Sequence, residues 1–524
     1  MLHRRKILSN NISISRSLAD QLPRNLFANI VYFLANVTIG ILLVPYFVSE
    51  LGVGAYGLIP LVASITGYVA IFVQSLNSAV TRFLSVDLQK KDYDTANRTF
   101  NTSLFGFSVI ILLMIPVVIV VAFFFTSIFN VPAGQDIGAI HLFLGVSASL
   151  LIRSWTGNFT VQLFAYNRLD LQNLVNLVNL LTQTGLIVLL FAFFGPDLAL
   201  VGDAYVIGAM VASGVSIVFA KRVCPYLSIS IHAFDRNKVK DLLGMGWWVI
   251  INQIGVLIFL SIDLIVVNLL FGSTIAGKYS IALMAVYLLR AIADQLSSVL
   301  TPIIFSYYAL EKTNSLICIS KSAVKLMGLA MALPIGLMCG FASHLLAIWV
   351  GSEFIDLAHL IVLLTLHLSV NLAVFPIFSI NMAYNRVRVP GVVTLVMGVG
   401  NIALAIFLPI VTGWGYYGVA VAGAIILTIK NAIFTPWYAT KVLGIKAHTF
   451  TRAMIPGIVA TVLVAISSTI VAYAVPLYSP AILSISIASI SLIYIALVWS
   501  FGLNRVERKL FKSYLPVNIR EISA

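Results

Sequence analysis

Charged residues are scarce in this chain of 524 residues: Asp, Glu, Lys and Arg make up only 10% of it, whereas 60% is hydrophobic. Soluble domains are usually about a quarter charged, so the composition excludes a water-soluble globule. The apolar residues form long continuous runs instead of alternating patterns, which excludes an outer-membrane barrel and predicts helices. The chain is therefore predicted to be an all-α polytopic membrane protein.

Cysteines and catalytic motifs are also lacking. The three cysteines, Cys224, Cys318 and Cys339, are scattered, which argues against a disulfide framework and a zinc site. No Walker-type phosphate loop, HExxH motif or nucleophile elbow occurs, and the loops are too short for an ATPase or glycosyltransferase domain. We therefore expect no enzyme activity and no cofactor, with energy supplied by an ion gradient, the membrane potential or a downhill substrate.

About fourteen apolar stretches are long enough to cross a bilayer, which takes about 20 helical residues. A polar, basic stretch at residues 221–240 interrupts this pattern for longer than any other internal segment. We predict an N-lobe of spans 1–6 (residues 1–220), a cytoplasmic linker (221–240) and a C-lobe of spans 7–12 (241–445). Spans 13–14 and a cytoplasmic tail follow (446–524).

The first hairpin, residues 25–85, has a counterpart at residues 247–307. The turn Gly54-Ala55-Tyr56-Gly57 of the first hairpin matches Gly277-Lys278-Tyr279-Ser280 of the second. An internal repeat fixes the architecture of a chain. The sequence thus predicts two pseudo-symmetric six-helix lobes with a cleft between them, plus two extra C-terminal helices.

The distribution of basic residues predicts the orientation in the membrane. When the connections are numbered alternately, 28 of the 32 Lys and Arg residues fall on one side. The opposite loops hold Glu50, Asp136, Asp197, Glu353 and Asp356, with Lys278 the only base at that edge. Because cytoplasmic loops collect Lys and Arg, both termini are predicted to be cytoplasmic. The net charge of +14 then reflects topology and attraction to anionic headgroups, and we expect no nucleic-acid partner.

Five ionisable residues lie well inside predicted spans: Arg153, Asp263, Arg290, Asp294 and Lys430. A charge at the bilayer centre costs about 2.5–3.5 kcal/mol on insertion scales, so such residues normally face a cavity or a partner. The sequence therefore predicts a polar lumen in which Arg153, Arg290 and Lys430 bind substrate and Asp263 and Asp294 serve in ion coupling or gating.

Alternatives remain open for several of these residues. Arg290 and Asp294 are four apart on one helix and could neutralise each other. Arg153 could reach the interface by snorkelling. Asp263 could pair with Arg290 or take part in proton coupling. Arg82, where the second span leaves the membrane, is either a positive-inside anchor or a substrate-binding residue at the cytoplasmic mouth.

The first hairpin contains a glycine–tyrosine turn followed by a polar segment, formed by Gly52, Tyr56, Gly57, Asn77 and Arg82. With these residues it resembles the polysaccharide-exporter (O-antigen flippase, Wzx-like) branch of the multidrug/oligosaccharidyl-lipid/polysaccharide (MOP) flippase superfamily. The segment from Asp263 through Gly272 to Tyr279 resembles the second-half counterpart. The resemblance extends over the whole chain by span count and halves.

The resemblance implies a MATE-like V shape of two six-helix lobes plus two peripheral helices. It also implies a cationic central cavity for an oligosaccharide linked to undecaprenyl pyrophosphate, such as an O-antigen unit. This substrate would be moved by alternating access from the cytoplasmic to the periplasmic leaflet of the bacterial inner membrane. Further candidate partners are membrane lipids, H⁺ or Na⁺ as coupling ion, and the polysaccharide polymerase machinery.

Other functions compete with this one. A MATE-type cation-coupled multidrug exporter would have the same fold, but cationic drugs favour an acidic lumen and bases here equal or exceed acids. A lipid II-type peptidoglycan precursor flippase is a second alternative. A membrane-embedded polymerase fits poorly, because such enzymes usually carry a large extracytoplasmic loop and the outer loops here are short.

Overall fold

The computed structural model describes residues 2–90, 92–476, 479–504 and 507–508. Within these ranges the side chains of residues 2–20, 22, 71–76, 78–79, 89, 240–253, 256, 259–260 and 302 are not described. The side chains of the predicted basic head up to residue 20, of Lys240 in the linker and of part of the repeat match are therefore not described, and residues 509–524 of the predicted tail lie outside the described ranges.

The described elements are all helical. The α-helices are α1 (Leu2–Leu51), α2 (Val53–Gln89), α3 (Tyr93–Ile128), α4 (Asp136–Ala165), α5 (Leu169–Phe194), α6 (Leu198–Val223), α7 (Arg236–Ala309), α8 (Thr313–Gly340), α9 (Ala342–Trp349), α10 (Ala358–Leu366), α11 (Leu368–Asn371), α12 (Phe375–Ala383), α13 (Arg388–Thr412), α14 (Tyr416–Thr428), α15 (Thr435–Leu443), α16 (Thr449–Ala474) and α17 (Pro480–Leu497). Short 3₁₀ turns occupy Ile231–Ala233 and Ser352–Leu357, and π-helical turns occupy Ile429–Phe434 and Val498–Gly502.

Within the described residues, 13 helical stretches are long and apolar enough to cross a membrane. One of them belongs to α7, where Gly272 has a left-handed φ of 85° and breaks the helix. The predicted spans 242–270 and 279–307 lie on the two sides of this break. The prediction of an all-α polytopic membrane protein with about fourteen spans is confirmed.

The chain divides into two compact units, Met1–Gly277 and Lys278–Ala524. In the first unit α4 packs on α2, α3 and α6, and α5 packs on α1 and α6. The α4–α6 contact is close because Gly145 faces Gly202, where a Cβ on Gly145 would lie 2.6 Å from backbone atoms. Phe100, Phe107 and Phe159 form a buried core between α3 and α4.

The polar stretch 221–240 lies within the first unit and is hydrogen-bonded to α3. Asn101 donates to the Ser228 carbonyl (2.8 Å) and accepts from the Ser230 amide (2.7 Å). The Ser228 amide donates to the Asn97 side chain (3.0 Å). The side chains of α3 thus fix this stretch, while its role as a linker between two lobes with the boundaries given above stays a prediction.

In the second unit α8 packs closely against α16. Gly328 and Gly457 face each other between these two helices, and a Cβ on Gly457 would lie 2.7 Å from the Gly328 backbone. Small residues allow such close backbone approach, which stabilises helix pairs in lipid. α17 packs on α8 and α16, and the Tyr494 hydroxyl donates to the Leu329 carbonyl (2.6 Å). The peripheral α17 is thereby attached to α8.

Candidate functional site

Arg153, a predicted substrate-binding residue, lies in the first unit, 12 residues before the end of α4. This is roughly 18 Å of helix, so the side chain leaves the backbone at membrane depth. Its Nη2 donates to Asn176 on α5 (2.9 Å). When the Asn179 side-chain amide is oriented so that its nitrogen and its oxygen both have hydrogen-bond partners, its oxygen accepts from Nη1 of Arg153 (3.1 Å). The guanidinium is exposed and is held towards α5 by two amides.

Asp263 and Arg82 also belong to the first unit. Asp263 is half-buried on the first part of α7, within electrostatic range of Tyr68 on α2. Arg82 is exposed near the end of α2, with its guanidinium carbon 6.0 Å from the centre of the Phe83 ring. The predicted roles of both residues stay predictions.

The second unit contains two interruptions of membrane-spanning helices that lie next to each other. The stretch Ser352–Ala383 breaks at His367 and again at residues 372–374, between α11 and α12. The stretch Tyr416–Leu443 changes to π-helical geometry at Ile429–Phe434. Irregular backbone at membrane depth is tolerated where it is buried in protein or lines a cavity, and π-turns often mark functional sites.

A network of buried amides connects the two interruptions. Asn371 Nδ2 donates to His367 Nδ1 (2.7 Å) and to the His367 carbonyl (2.9 Å). Asn431 Nδ2 donates to Asn371 Oδ1 (3.1 Å), and Thr435 donates to Asn431 Oδ1 (3.3 Å). Because the imidazole Nδ1 accepts in this arrangement, the ring proton of neutral His367 resides on Nε2. The network fixes both breaks relative to each other.

Lys430 lies on the π-turn beside this network and is 9% exposed. Its Nζ lies 5.7 Å from the centre of the Phe378 ring on α12, a distance at which cation–π attraction operates. Arg290 on α7 lies within electrostatic range of Lys430, His367 and Asp294. The structure thus brings together three of the predicted residues, Arg290, Asp294 and Lys430.

The sequence interpretation missed part of this cluster. His367 was not assigned to the site, and Asn431 and Thr435 were not singled out. Two features of the sequence could have indicated these residues. His367 and Asn371 are four residues apart, which places them on one helix face, and Asn431 directly follows an intramembrane lysine.

Residues 22–308 match the family model described as "Polysaccharide biosynthesis protein". In addition, the chain is 34% identical over 439 residues to "Uncharacterized membrane protein EpsK" of Bacillus subtilis (strain 168), covering 84% of this chain and 87% of that protein.

Two solved structures have the same fold. The lipid II flippase MurJ in an inward closed conformation superposes with a TM-score of 0.63 at 15% identity, covering 91% of this chain and 98% of that chain. An inward-facing multidrug resistance transporter of the MATE family, described as a member of the MOP superfamily, superposes with a TM-score of 0.62 at 17% identity, covering 78% of this chain and 95% of that chain. Because the family model covers more than half of the chain, the chain belongs to the polysaccharide biosynthesis protein family, and its fold is that of these two solved transporters.

Proposed function

We propose that this protein is a flippase for oligosaccharide repeat units linked to undecaprenyl pyrophosphate, O-antigen or a similar surface polysaccharide. It moves them by alternating access from the cytoplasmic to the periplasmic leaflet of the inner membrane. The family description supports a role in polysaccharide biosynthesis. The fold shared with a lipid II flippase is compatible with a lipid-linked substrate.

The observation that carries this proposal is the pair Arg290 and Lys430. Both are cations placed within electrostatic range of each other, on helices that cross the membrane, and Lys430 is buried. Two like charges at membrane depth cost free energy, which a bound pyrophosphate would offset. Charge-assisted hydrogen bonds to phosphate are among the strongest that side chains make, so the pair suits an anionic headgroup.

The remaining charges are assigned by the same reasoning. Arg153 and Arg82 contribute further positive charge along the path of the headgroup. Asp263 and Asp294 serve in gating or in coupling to H⁺ or Na⁺. The ion pair between Lys278 and Asp356 (3.5 Å) agrees with the charge distribution, which assigns both residues to the same edge of the membrane.

The proposal is tested by deleting the gene in its host and measuring undecaprenyl-linked oligosaccharide on the inner leaflet together with surface polysaccharide. We expect the lipid-linked unit to accumulate and the surface polymer to disappear. The wild-type gene restores the polymer. Lys430→Gln and Arg290→Gln restore it about tenfold to a hundredfold more slowly, because each removes a charged hydrogen bond to the headgroup.

Lys441→Gln is the matched control, since Lys441 is an exposed lysine that lies 5.5 Å from the Trp437 ring at the end of α15. It loses the same charge outside the cluster and should restore polymer like the wild type. Unchanged glycolipid together with increased sensitivity to cationic drugs would reject the proposal in favour of a MATE-type exporter. Accumulated peptidoglycan precursor would instead indicate a lipid II-type flippase.

A further inference from the structure

A cavity of about 430 Å³ opens in the first unit, apart from the charged residues considered so far. It lies where several spans end: before the span Pro23–Leu51, at the turn between α4 and α5, and at the last turn of α6. Its polar lining residues are Gln21, Tyr166, Arg168 and Arg222, and its apolar ones include Leu171 and Phe219. The cavity thus combines two guanidinium groups with an apolar wall.

The turn that carries Arg168 is fixed by side chains from α1. Asn167 has a left-handed φ of 56°, and its carbonyl accepts from Asn25 Nδ2 (2.8 Å). The Asn25 oxygen accepts in turn from the Asp170 amide (2.9 Å), and Asn167 Nδ2 donates to Gln21 (3.3 Å). Because Asn25 is buried, the backbone on either side of Arg168 is held in one geometry.

The guanidinium of Arg168 is oriented as well. Its Nε and Nη2 donate to the two oxygens of Asp170 (2.9 and 3.0 Å), and this pairing raises the pKa of Arg168. A guanidinium has five N–H groups, so the pair with Asp170 leaves three for a ligand. Arg168 precedes the first turn of α5, whose helix dipole also favours an anion at this end.

Arg222 supplies the uncompensated charge. It lies in the last turn of α6, three residues after Phe219, so that the two side chains share one helix face. Among the described residues no carboxylate forms an ion pair with Arg222. Among the residues whose side chains the structure describes, Asp170 is the one carboxylate paired with either arginine, and none of the lining residues is acidic. Over these described side chains the site is net cationic.

We propose that this cavity binds the phosphate headgroup of an anionic membrane lipid. The guanidinium groups of Arg168 and Arg222 hold the phosphate, and Phe219 and Leu171 contact the start of the acyl or prenyl chain. Basic pockets between helix ends at headgroup depth suit such ligands, and the volume lies in the range of small-molecule sites. The lipid is either a membrane phospholipid or a polyprenyl diphosphate.

The test is native mass spectrometry of the purified full-length protein with added lipid. The probes are phosphatidylglycerol, phosphatidylcholine, undecaprenyl diphosphate and inorganic pyrophosphate. We expect an anionic lipid to bind in preference to phosphatidylcholine, with a Kd about tenfold weaker in Arg222→Gln. Lys221→Gln is the matched control, because the adjacent exposed Lys221 does not line the cavity and should leave the Kd within about twofold.

Preference for phosphatidylglycerol or for undecaprenyl diphosphate identifies the source of the phosphate, and either supports the site. Equal weakening by Arg222→Gln and Lys221→Gln would show diffuse surface attraction and overturn the proposal. Saturation by inorganic pyrophosphate without retained lipid would overturn it too. Phe219→Ser is the second variant and is expected to weaken lipid binding, because it removes an apolar lining group without changing the charge. The assay measures lipid binding and not transport. A negative result would therefore reject this lipid site without rejecting the proposed flippase function.

Discussion

Asn130 and Asn268 exchange three hydrogen bonds between the α3–α4 loop and the first part of α7. The Asn130 amide donates to Asn268 Oδ1 (3.0 Å), Asn268 Nδ2 donates to the Asn130 carbonyl (3.1 Å), and Asn130 Nδ2 donates to the Asn268 carbonyl (2.7 Å). Asn268 is fully buried. This reciprocal contact fixes the loop to α7 shortly before the break at Gly272.

Asn268→Ala should lower the free energy of unfolding by about 1–3 kcal/mol, because two backbone groups of Asn130 lose their partners. The measurement is the thermal midpoint of the purified protein in detergent. Asn237→Ala serves as control, since Asn237 is exposed and its side chain makes no such exchange. A midpoint for Asn268→Ala equal to that of the wild type would show that the contact does not stabilise the first unit.

Gly57→Ala is expected to destabilise the first unit through a direct clash. A Cβ at this position would lie 2.6 Å from the backbone nitrogen of Gly277, so one of the two backbone segments must move. Overpacking of this kind costs about 1–3 kcal/mol. Gly214→Ala on α6 is the control, because a Cβ there meets no atom within 4 Å and alanine has the higher helix propensity. Thermal midpoints of the two variants should therefore shift in opposite directions.

Because Lys325 on α8 forms an ion pair with Glu507 (2.8 Å), we expect substitutions of the two residues to change the free energy of unfolding non-additively. Glu507 is 4% exposed and also accepts from the Asn504 amide (2.7 Å). Lys325→Met leaves a buried carboxylate without its cation and should cost about 3–5 kcal/mol. The double variant Lys325→Met, Glu507→Met should recover most of this loss.

A double-mutant cycle on denaturant unfolding measures the coupling between Lys325 and Glu507. The comparison pair is His141 and Asp203 (2.9 Å), whose side chains are 50% and 47% exposed. Replacing Asp203 by Asn should cost below about 1 kcal/mol. Additive losses in the Lys325–Glu507 cycle would contradict the prediction.

We expect the stability of the start of α3 to depend on pH through the carboxylate of Asp92. Its carboxylate accepts from the Thr95 amide (3.1 Å), and this hydrogen bond lowers the pKa of Asp92 below its ordinary value of 3.8. The contribution to stability is thus fully present above pH 3.8 and is lost as the pH falls through the lower folded-state pKa. Asp92→Ala should lower the thermal midpoint at neutral pH, whereas Asp92→Asn retains a capping oxygen.

The difference between wild type and Asp92→Asn isolates this one group from other carboxylates that titrate in acid. It should be constant at neutral pH and change only in the acidic window below the ordinary pKa. A difference that instead changes near neutrality would assign the effect to another group.

The helices and most membrane spans could be predicted from the sequence, because in lipid every backbone polar group must be satisfied within its own segment. A long apolar run therefore has one available structure. The repeat was also visible: Gly57 and Gly277 belong to segments that match in sequence, and they lie against each other in the structure, Gly57 in α2 and Gly277 in α7. The division into lobes at residues 220 and 241 stays a prediction.

The candidate site was predicted only in part. Charged residues within apolar runs are easily recognised in a sequence. Each of three candidate site residues could therefore be identified by itself: Arg290, Asp294 and Lys430. The contact between Asn371 and Asn431 could not be predicted, because it joins residues 60 apart that lie on two different helices. Pro376 follows the first interruption at the start of α12, where a proline is tolerated.

By itself the sequence determined that the chain is helical, that it crosses a membrane many times and that a few charges lie within its spans. These properties follow from local hydrophobicity and backbone hydrogen bonding. Only the tertiary structure decided that Lys430 lies on a π-turn beside a broken helix, and that Arg168 and Arg222 share a cavity. Those relationships depend on side-chain packing between helices distant in sequence, which no local pattern encodes.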